Sequence, residues 1–454
     1  MVISKMDKEP VIRVGLVNTA PEVRFVLSGS FTDGDGVPVK EGAYRASPEN
    51  GAIKLQGGRE VTAPAIKITP TDFRACRFTV QGVKIGLNFH WEREESQQFQ
   101  GELIIEPSAD GLRIINRLPL ESYLVSVISS EMSAACPAEL LRAHAIVSRS
   151  WLLAQLTRER VTETHSRSQS VQEVGDRDEI VRWYDRQSHR DFDVCADDHC
   201  QRYQGISKAF SQSAFDAISA TRGKVLVYGE EICDARYSKS CGGMTEAYSA
   251  VWDDQDVPYL KPIYDGPGSE VPGHRLPLSV EVNAEDWITS TPVAYCGVPT
   301  PDLLARVLPG FDQETSDFYR WHVDYSQQEL SEILRARLGV DFGRVHSLVA
   351  LERGESGRII KLRIVGENRT LVIGKELEIR RALSRSHLYS SAFVVRGARE
   401  QQSEYPERFS LIGAGWGHGV GLCQIGAAVM ADRGHDHEEI LSHYFAGARI
   451  SGLY

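Results

Sequence analysis

"INRLPLESYLVSVISSEMSAACPAELLRAHAIVSRSW" (residues 115–151) carries two apolar periodicities separated by a polar bend. In the first, Leu120, Tyr123, Leu124 and Val127 share one helical face behind Pro119, a residue suited to a helix's first turn. In the second, which opens at Pro137, Leu140, Leu141, His144, Ala145, Val147, Ser148, Trp151 and Leu152 recur at helical spacing. Glu131 stands in the bend between the two predicted helices. The first helix should end at about residue 130, so the negative end of its dipole faces the Glu131 carboxyl. Apolar neighbours add desolvation, and both effects favour the protonated acid. Such an acid can protonate a leaving oxygen near neutral pH. Arg149, on the second helix, would oppose this if it comes close. The spacing by itself favours a plainer reading, an exposed acid in a turn.

Outward from this stretch the chain alternates strand and helix patterns. "VIRVGLV", "EVRFVLSG" and "CRFTVQGVKIGLNFHW" read as short strands, with a hairpin turn in "FTDGDGVPV". "GELIIEPSADGLRIINRLP" predicts a hairpin around Ala109, Asp110 and Gly111. Residues 156–194 are polar and charged and read as a solvated, partly helical insertion. Beyond them come a helix stopped by Gly223, strands in "KVLVYG" and "CDARYSKS", and the patterns "QELSEILRARLG", "RIIKLRIVG" and "RTLVIG". The end reads as short helices, with a capping box at Asp436 and Glu439 and a stop at Gly447. These patterns predict an α+β fold. Its expected segments are a β-rich N-terminal region (1–100), a helical and strand core (101–265), a second lobe or insertion (266–404) and a C-terminal Gly-rich segment with helices that completes the core (405–454). The expected ligand groove lies between lobes.

Composition narrows the function classes. The chain has 454 residues, 42% hydrophobic and 25% charged, as in an ordinary soluble protein. A formal net charge of -11 argues against nucleic acid as the main partner. No apolar run is long enough for a membrane span, and the first residues show no signal-peptide pattern. The 8 cysteines are too few for a disulfide scaffold, so most read as buried small apolar residues.

Two further stretches could carry chemistry. "GAGWGHGVGLCQIGAA" places glycines at 413, 415, 417, 419 and 421 around His418, ahead of Gln424. Alternate glycines permit close approach of another backbone or of a flat ligand, and no Gly-Lys-Ser/Thr follows to make a phosphate loop. A tightly packed strand with a satisfied core histidine explains the pattern as well. "SKSCGGMTE" (238–246) adds a second glycine pair flanked by hydroxyls. In "HRDFDVCADDHC", His189, Cys195 and Cys200 offer nitrogen and thiolate ligands of the kind zinc takes, with His199 as a fourth candidate. The spacing is not that of a zinc finger, and two buried or disulfide-linked cysteines remain the alternative.

Four blocks together resemble the stage II sporulation protein D family (the SpoIID/LytB domain): residues 115–151 as quoted, "CQRYQG", "ARYSKSCGGMTEAYSAVW" and "GAGWGHGVGLCQIGAAVMADRGHDHEEILSHYFAGARI". "FYRWHVDYSQQEL" (318–330) also resembles a family segment. The resemblance implies a peptidoglycan lytic transglycosylase that leaves 1,6-anhydro-muramic acid ends. The family's catalytic residues are implied to fall on Glu131, the glutamate, and on Arg149, the helix arginine. Its zinc ligands, found in some members, fall on His189, Cys195 and Cys200, where two thiolates suit a structural ion. No organic cofactor is implied. By motif position, Tyr237, Ser240, Gly242, Gly243, Thr245, Trp416, His418 and Gln424 would line the glycan groove. The chain departs from the family at His144, where glutamine is usual, and at Cys241, where serine or threonine is usual. Some relatives enhance cell-wall amidases, so a non-catalytic glycan-binding module is the alternative, with an amidase as partner. The substrate implies a cell-envelope, periplasmic or extracellular location.

Overall fold

The computed structural model describes residues 6–58, 60–85, 93–162, 171–174, 178–184, 189, 191–197, 200–207, 211–268, 270–308, 317–398 and 404–454. The chain forms two compact units. A β-rich unit comprises Ser4–Ala135, Arg186–Lys224 and Gly452–Tyr454, and a mixed unit comprises Cys136–Asp185 and Val225–Ser451. Helices and strands are interspersed throughout, so the fold is α+β.

The β-rich unit is built on two sheets. One has seven strands, ordered Val194–Cys195, Val11–Ala20, Gly111–Pro119, Glu102–Ser108, Ile66–Pro70, Phe31–Asp33 and Pro38–Val39. The other has six, ordered Arg93–Phe99, Arg77–Ile85, Val23–Ser28, Gly42–Glu49, Ala52–Gln56 and Val61–Ala63. Period-two patterning decides which side chains face inward. Phe25, Phe78, Val80 and Phe99 of one sheet and Leu103, Ile105, Leu112 and Ile114 of the other are all buried. The hairpin expected at Ala109–Asp110 closes with Ser108 opposite Gly111. The helix Leu120–Glu131 follows, with Pro119 at its N-cap rather than inside its first turn. Its Tyr123, Leu124, Val127 and Ile128 are buried.

The mixed unit opens with the helix Ala138–Thr162, whose buried face carries Leu140, Leu141, Ala145 and Leu152. The polar insertion holds an element the periodicity did not show. Val171–Val174 and Glu179–Tyr184 pair antiparallel, and Glu179–Val181 then runs parallel to Val372–Gly374. A five-stranded sheet results, completed by Ile359–Gly366 and Val345–Arg353. Its β-branched and aromatic residues form the strands, while its charges hid the pattern. Leu330, Ile333 and Leu334 of the helix Gln327–Leu338 pack into a core with Leu362, Ile364, Leu371, Ile373 and Phe409. That helix stops at Gly339, where φ is 67°. The closing helix His437–Tyr444 has the expected capping box of Asp436 and Glu439. Among the described residues, no helix is long and apolar enough to cross a membrane.

Candidate functional site

Glu131 is the last residue of the helix Leu120–Glu131, and Met132 caps it by donating its N–H to the Ile128 carbonyl. The half-buried Glu131 carboxylate accepts the backbone N–H of Arg202 at 3.2 Å. The segment bearing Arg202 is held from behind. Tyr203 is buried, its hydroxyl donates to Asn116 Oδ1 at 2.6 Å, and its ring stacks between Tyr123 and Phe99. Asn116 in turn donates to the carbonyls of Gln100 and Glu102. The helix end and the 200–204 segment are therefore anchored to the same hairpin.

Arg202 also lines a cleft of about 670 Å³, together with Asn18, Thr19, Arg24, Lys84 and Gln97. The cleft is built entirely from the β-rich unit. Gln97 is 1% exposed, and neither polar atom of its amide has a hydrogen-bond partner among the described residues. A buried amide left unpaired is costly, and a ligand in the cleft could satisfy it.

Cys195 and Asp197 line the same cleft. Beside it, one ligand-capable atom each from His189, Cys195 and Cys200 lies within 4.8 Å of the others. The segment reaches this arrangement because Val194–Cys195 pairs parallel with Val14 and Gly15. The His189 ring rests on Phe192, and the Cys200 N–H turns back to the Asp197 carbonyl. One imidazole and two thiols this close fit a zinc ion. His199, the fourth sequence candidate, lies outside the described residues.

The remaining candidates belong to the mixed unit. Arg149 is fully buried, and its Nη1 donates to the Ala145 carbonyl at 3.4 Å. Tyr237, Ser240, Gly242, Gly243, Thr245, Trp416, His418 and Gln424 converge because Tyr237–Ser238 pairs parallel with Leu422–Cys423 and Ser240 bridges Trp416. Within this group, Ser240, Thr245 and Gln424 are buried. The Thr245 hydroxyl accepts the Ile263 N–H at 2.8 Å. Gln424 Nε2 lies 3.0 Å from His144 Nε2. Tyr237, Trp416 and His418 keep partial exposure. The Trp416 ring packs on Phe318 and Tyr389. His418 Nδ1 accepts the Val420 N–H at 3.0 Å, which leaves the ring proton on Nε2 when it is neutral. Burial, with Arg236 and Arg358 nearby, holds its pKa well below the usual histidine value.

The glycine lane does not form the extended face anticipated from alternation. Gly415, Gly417, Gly419 and Gly421 all adopt positive φ, from 74° to 96°. What approaches is the protein itself: a Cβ at Gly415 would meet Ser240 O at 2.8 Å, and one at Gly421 would overlap the Arg236 carbonyl. His144 is fully buried between Ser148 and Gln424, and burial beside Lys239 lowers its pKa to about 3. Glu246 is a buried acid that sequence reading did not single out. It accepts from the Ser356 hydroxyl at 2.6 Å and the Ala247 N–H at 2.8 Å, and burial raises its pKa. Its partner is distant in sequence, so no local signal marks it.

Residues 108–228 match the model of a family described as stage II sporulation protein, and residues 246–421 match a domain of unknown function. The amidase enhancer of Bacillus subtilis (strain 168) is 24% identical over 253 residues, which is 55% of this chain and 34% of that protein. The chain thus spans about a third of that relative's length. Stage II sporulation protein D of Bacillus amyloliquefaciens is 23% identical over 337 residues, 74% of this chain and 75% of that one. An uncharacterised protein of Brachyspira hyodysenteriae is 24% identical over 353 residues, covering 78% and 72%. Residues 108–228, which contain Glu131, thus carry the stage II sporulation protein domain, and these relatives support assigning the chain to the SpoIID/LytB family.

Proposed function

We propose that this chain acts on the bacterial cell wall as a lytic transglycosylase on peptidoglycan glycan strands, outside the cytoplasm, with Glu131 as its proton shuttle. The observation that carries the reading is the placement of Glu131. It ends a buried helix, and it accepts the backbone N–H of Arg202, a residue that lines the cleft. The Arg202 N–H fixes the orientation of the carboxyl group beside the cleft.

The reaction then runs with one carboxyl group. Glu131 gives its proton to the glycosidic oxygen between N-acetylmuramic acid and N-acetylglucosamine as the bond from the muramic anomeric carbon to that oxygen breaks. The muramic 6-hydroxyl attacks the same anomeric carbon and passes its proton to the Glu131 carboxylate. Glu131 is restored, and the product carries a 1,6-anhydro ring. The attacking group is already part of the substrate, so proximity replaces a second carboxylate and a bound water.

The polar side chains in the cleft, Asn18, Thr19 and Gln97, whose amide has no partner among the described residues, suit a hydroxyl-rich strand. Tyr237, Trp416 and His418 are the candidates for sugar contact in the mixed unit. Ser240, Gly242, Gly243, Thr245 and Gln424 would position them, and Arg149 would support the helix Ala138–Thr162 on which it lies. His189, Cys195 and Cys200 would hold a structural zinc that fixes the segment leading to Arg202.

The similarity to the amidase enhancer of Bacillus subtilis supports a second reading, in which the chain binds glycan or an amidase without cleaving anything. Measuring fragment release and strand binding in parallel separates the two. Glu131→Gln should abolish release from denuded strands and keep binding. Binding without release by the unaltered chain would establish the second reading.

A further inference from the structure

Four buried side chains meet in the mixed unit: Cys241, after the strand Tyr237–Ser238; Asp265; Cys296, in the turn Tyr295–Gly297; and Cys423, at the N-cap of the helix Gln424–Asp432. Each offers one ligand atom, and the four atoms lie within 4.8 Å of one another. None of the four residues is more than 2% exposed. Cys241 Sγ is 3.6 Å from Cys296 Sγ and 3.2 Å from Asp265 Oδ2. Sulfurs about 2.3 Å from a zinc ion at tetrahedral angles stand about 3.8 Å apart, whereas disulfide sulfurs stand about 2.0 Å apart. The Cys241–Cys296 separation lies at the zinc value.

The surroundings are arranged as a metal's outer shell requires. Cys423 Sγ accepts the N–H groups of Cys241 at 3.3 Å and Gly426 at 3.4 Å. Asp265 turns Oδ1 to the Tyr444 hydroxyl at 2.7 Å, with His443 Nε2 at 3.7 Å, and so presents Oδ2 to the thiols. Gly426 leaves room for that carboxylate, since a Cβ there would come within 2.6 Å of Oδ2. Three thiolates and a carboxylate exceed the charge of a divalent ion. Two guanidinium groups offset the excess: Arg358 donates to the Cys241 carbonyl at 3.2 Å, and Arg320 to the Gly242 carbonyl at 3.1 Å.

We infer that Cys241, Asp265, Cys296 and Cys423 bind a single zinc ion that staples these segments of the mixed unit together. Four protein ligands leave no open coordination position, so the ion is structural. The inference does not depend on the role of Glu131 or on metal at His189, Cys195 and Cys200.

The test counts zinc by elemental mass spectrometry in the full-length chain purified without chelator. Cys241→Ser/Cys296→Ser should hold one zinc fewer per chain than wild type, and Cys195→Ser/Cys200→Ser should retain this ion. Because either variant could misfold, a second measurement uses the unaltered chain. Alkylation of Cys241, Cys296 and Cys423, read by peptide mass spectrometry, should rise together when a chelator strips the metal. Equal zinc content in wild type and Cys241→Ser/Cys296→Ser would overturn the inference. So would alkylation of the three thiols that ignores the chelator, or a Cys241–Cys296 disulfide in the native chain.

Discussion

Replacing Gly421 with alanine should destabilise the mixed unit far more than replacing Gly434. Both residues have positive φ, 74° and 95°. A side chain in that conformation costs roughly 1–2 kcal/mol at either position. They differ in what a Cβ would meet. At Gly434 nothing lies within 4 Å, whereas at Gly421 the Cβ would overlap the Arg236 carbonyl oxygen and sit 2.9 Å from its carbon. Backbone is the neighbour there, so relief requires moving the 236–242 segment, at a further cost of roughly 1–3 kcal/mol. Gly421→Ala should therefore cost about 2–5 kcal/mol, centred near 3.5, against about 1–2 for Gly434→Ala. At roughly 2–4 °C per kcal/mol, the melting temperature falls by about 10 °C in the first and about 4 °C in the second. Tryptophan fluorescence reads this unit, because Trp151, Trp183, Trp252, Trp287, Trp321 and Trp416 of the 7 tryptophans lie in it. Equal shifts for the two variants would refute the reasoning. They would mean that the glycine lane is open space a ligand can enter, rather than space taken by the protein's own backbone.

Other consequences follow from particular residues. His144 is neutral in the folded chain, with a pKa near 3 against about 6.5 when unfolded. The unfolded chain therefore binds a proton that the native chain refuses, and stability is lost as pH falls from about 6.5 towards 3, by at most roughly 5 kcal/mol. His144→Gln should flatten that part of the stability profile, measured by urea unfolding across pH; an unchanged slope would count against it. Tyr203→Phe should cost about 1–2 kcal/mol by leaving Asn116 Oδ1 without its buried donor, read from the unfolding midpoint. Arg353 pairs twice with Glu281, at 2.6 and 2.8 Å, and also donates to the carbonyls of Gly357 and Phe393. Arg353→Met should cost about 2–4 kcal/mol, because both carbonyls lose a buried charged donor, whereas Glu281→Gln should cost less, since Glu281 is solvent-facing.

What could be read in the sequence was whatever is local. The hairpin at Ala109–Asp110 and the box of Asp436 and Glu439 depend on neighbouring residues alone. So does the His189, Cys195 and Cys200 grouping, whose members fall in one short segment. The strands Val171–Val174 and Glu179–Tyr184 were missed because charged positions masked their β-branched pattern, and because one partner strand begins at Thr370. The glycine lane was read as extended because alternation is all that a sequence shows, while the positive φ values answer the crowding of Ser240 and Arg236. The Cys241, Asp265, Cys296 and Cys423 cluster and the Glu246–Ser356 contact join residues far apart along the chain, and only tertiary packing brings them together.

The central claim is that Glu131 drives transglycosylation. The measurement that tests it most directly is mass spectrometry of denuded glycan strands incubated in ¹⁸O-labelled water with the unaltered chain and with Glu131→Ala. The account predicts anhydro-ended fragments free of ¹⁸O from the unaltered chain and none from the variant. Reducing ends carrying ¹⁸O would show hydrolysis instead, and anhydro products from the variant as well would remove Glu131 from the chemistry.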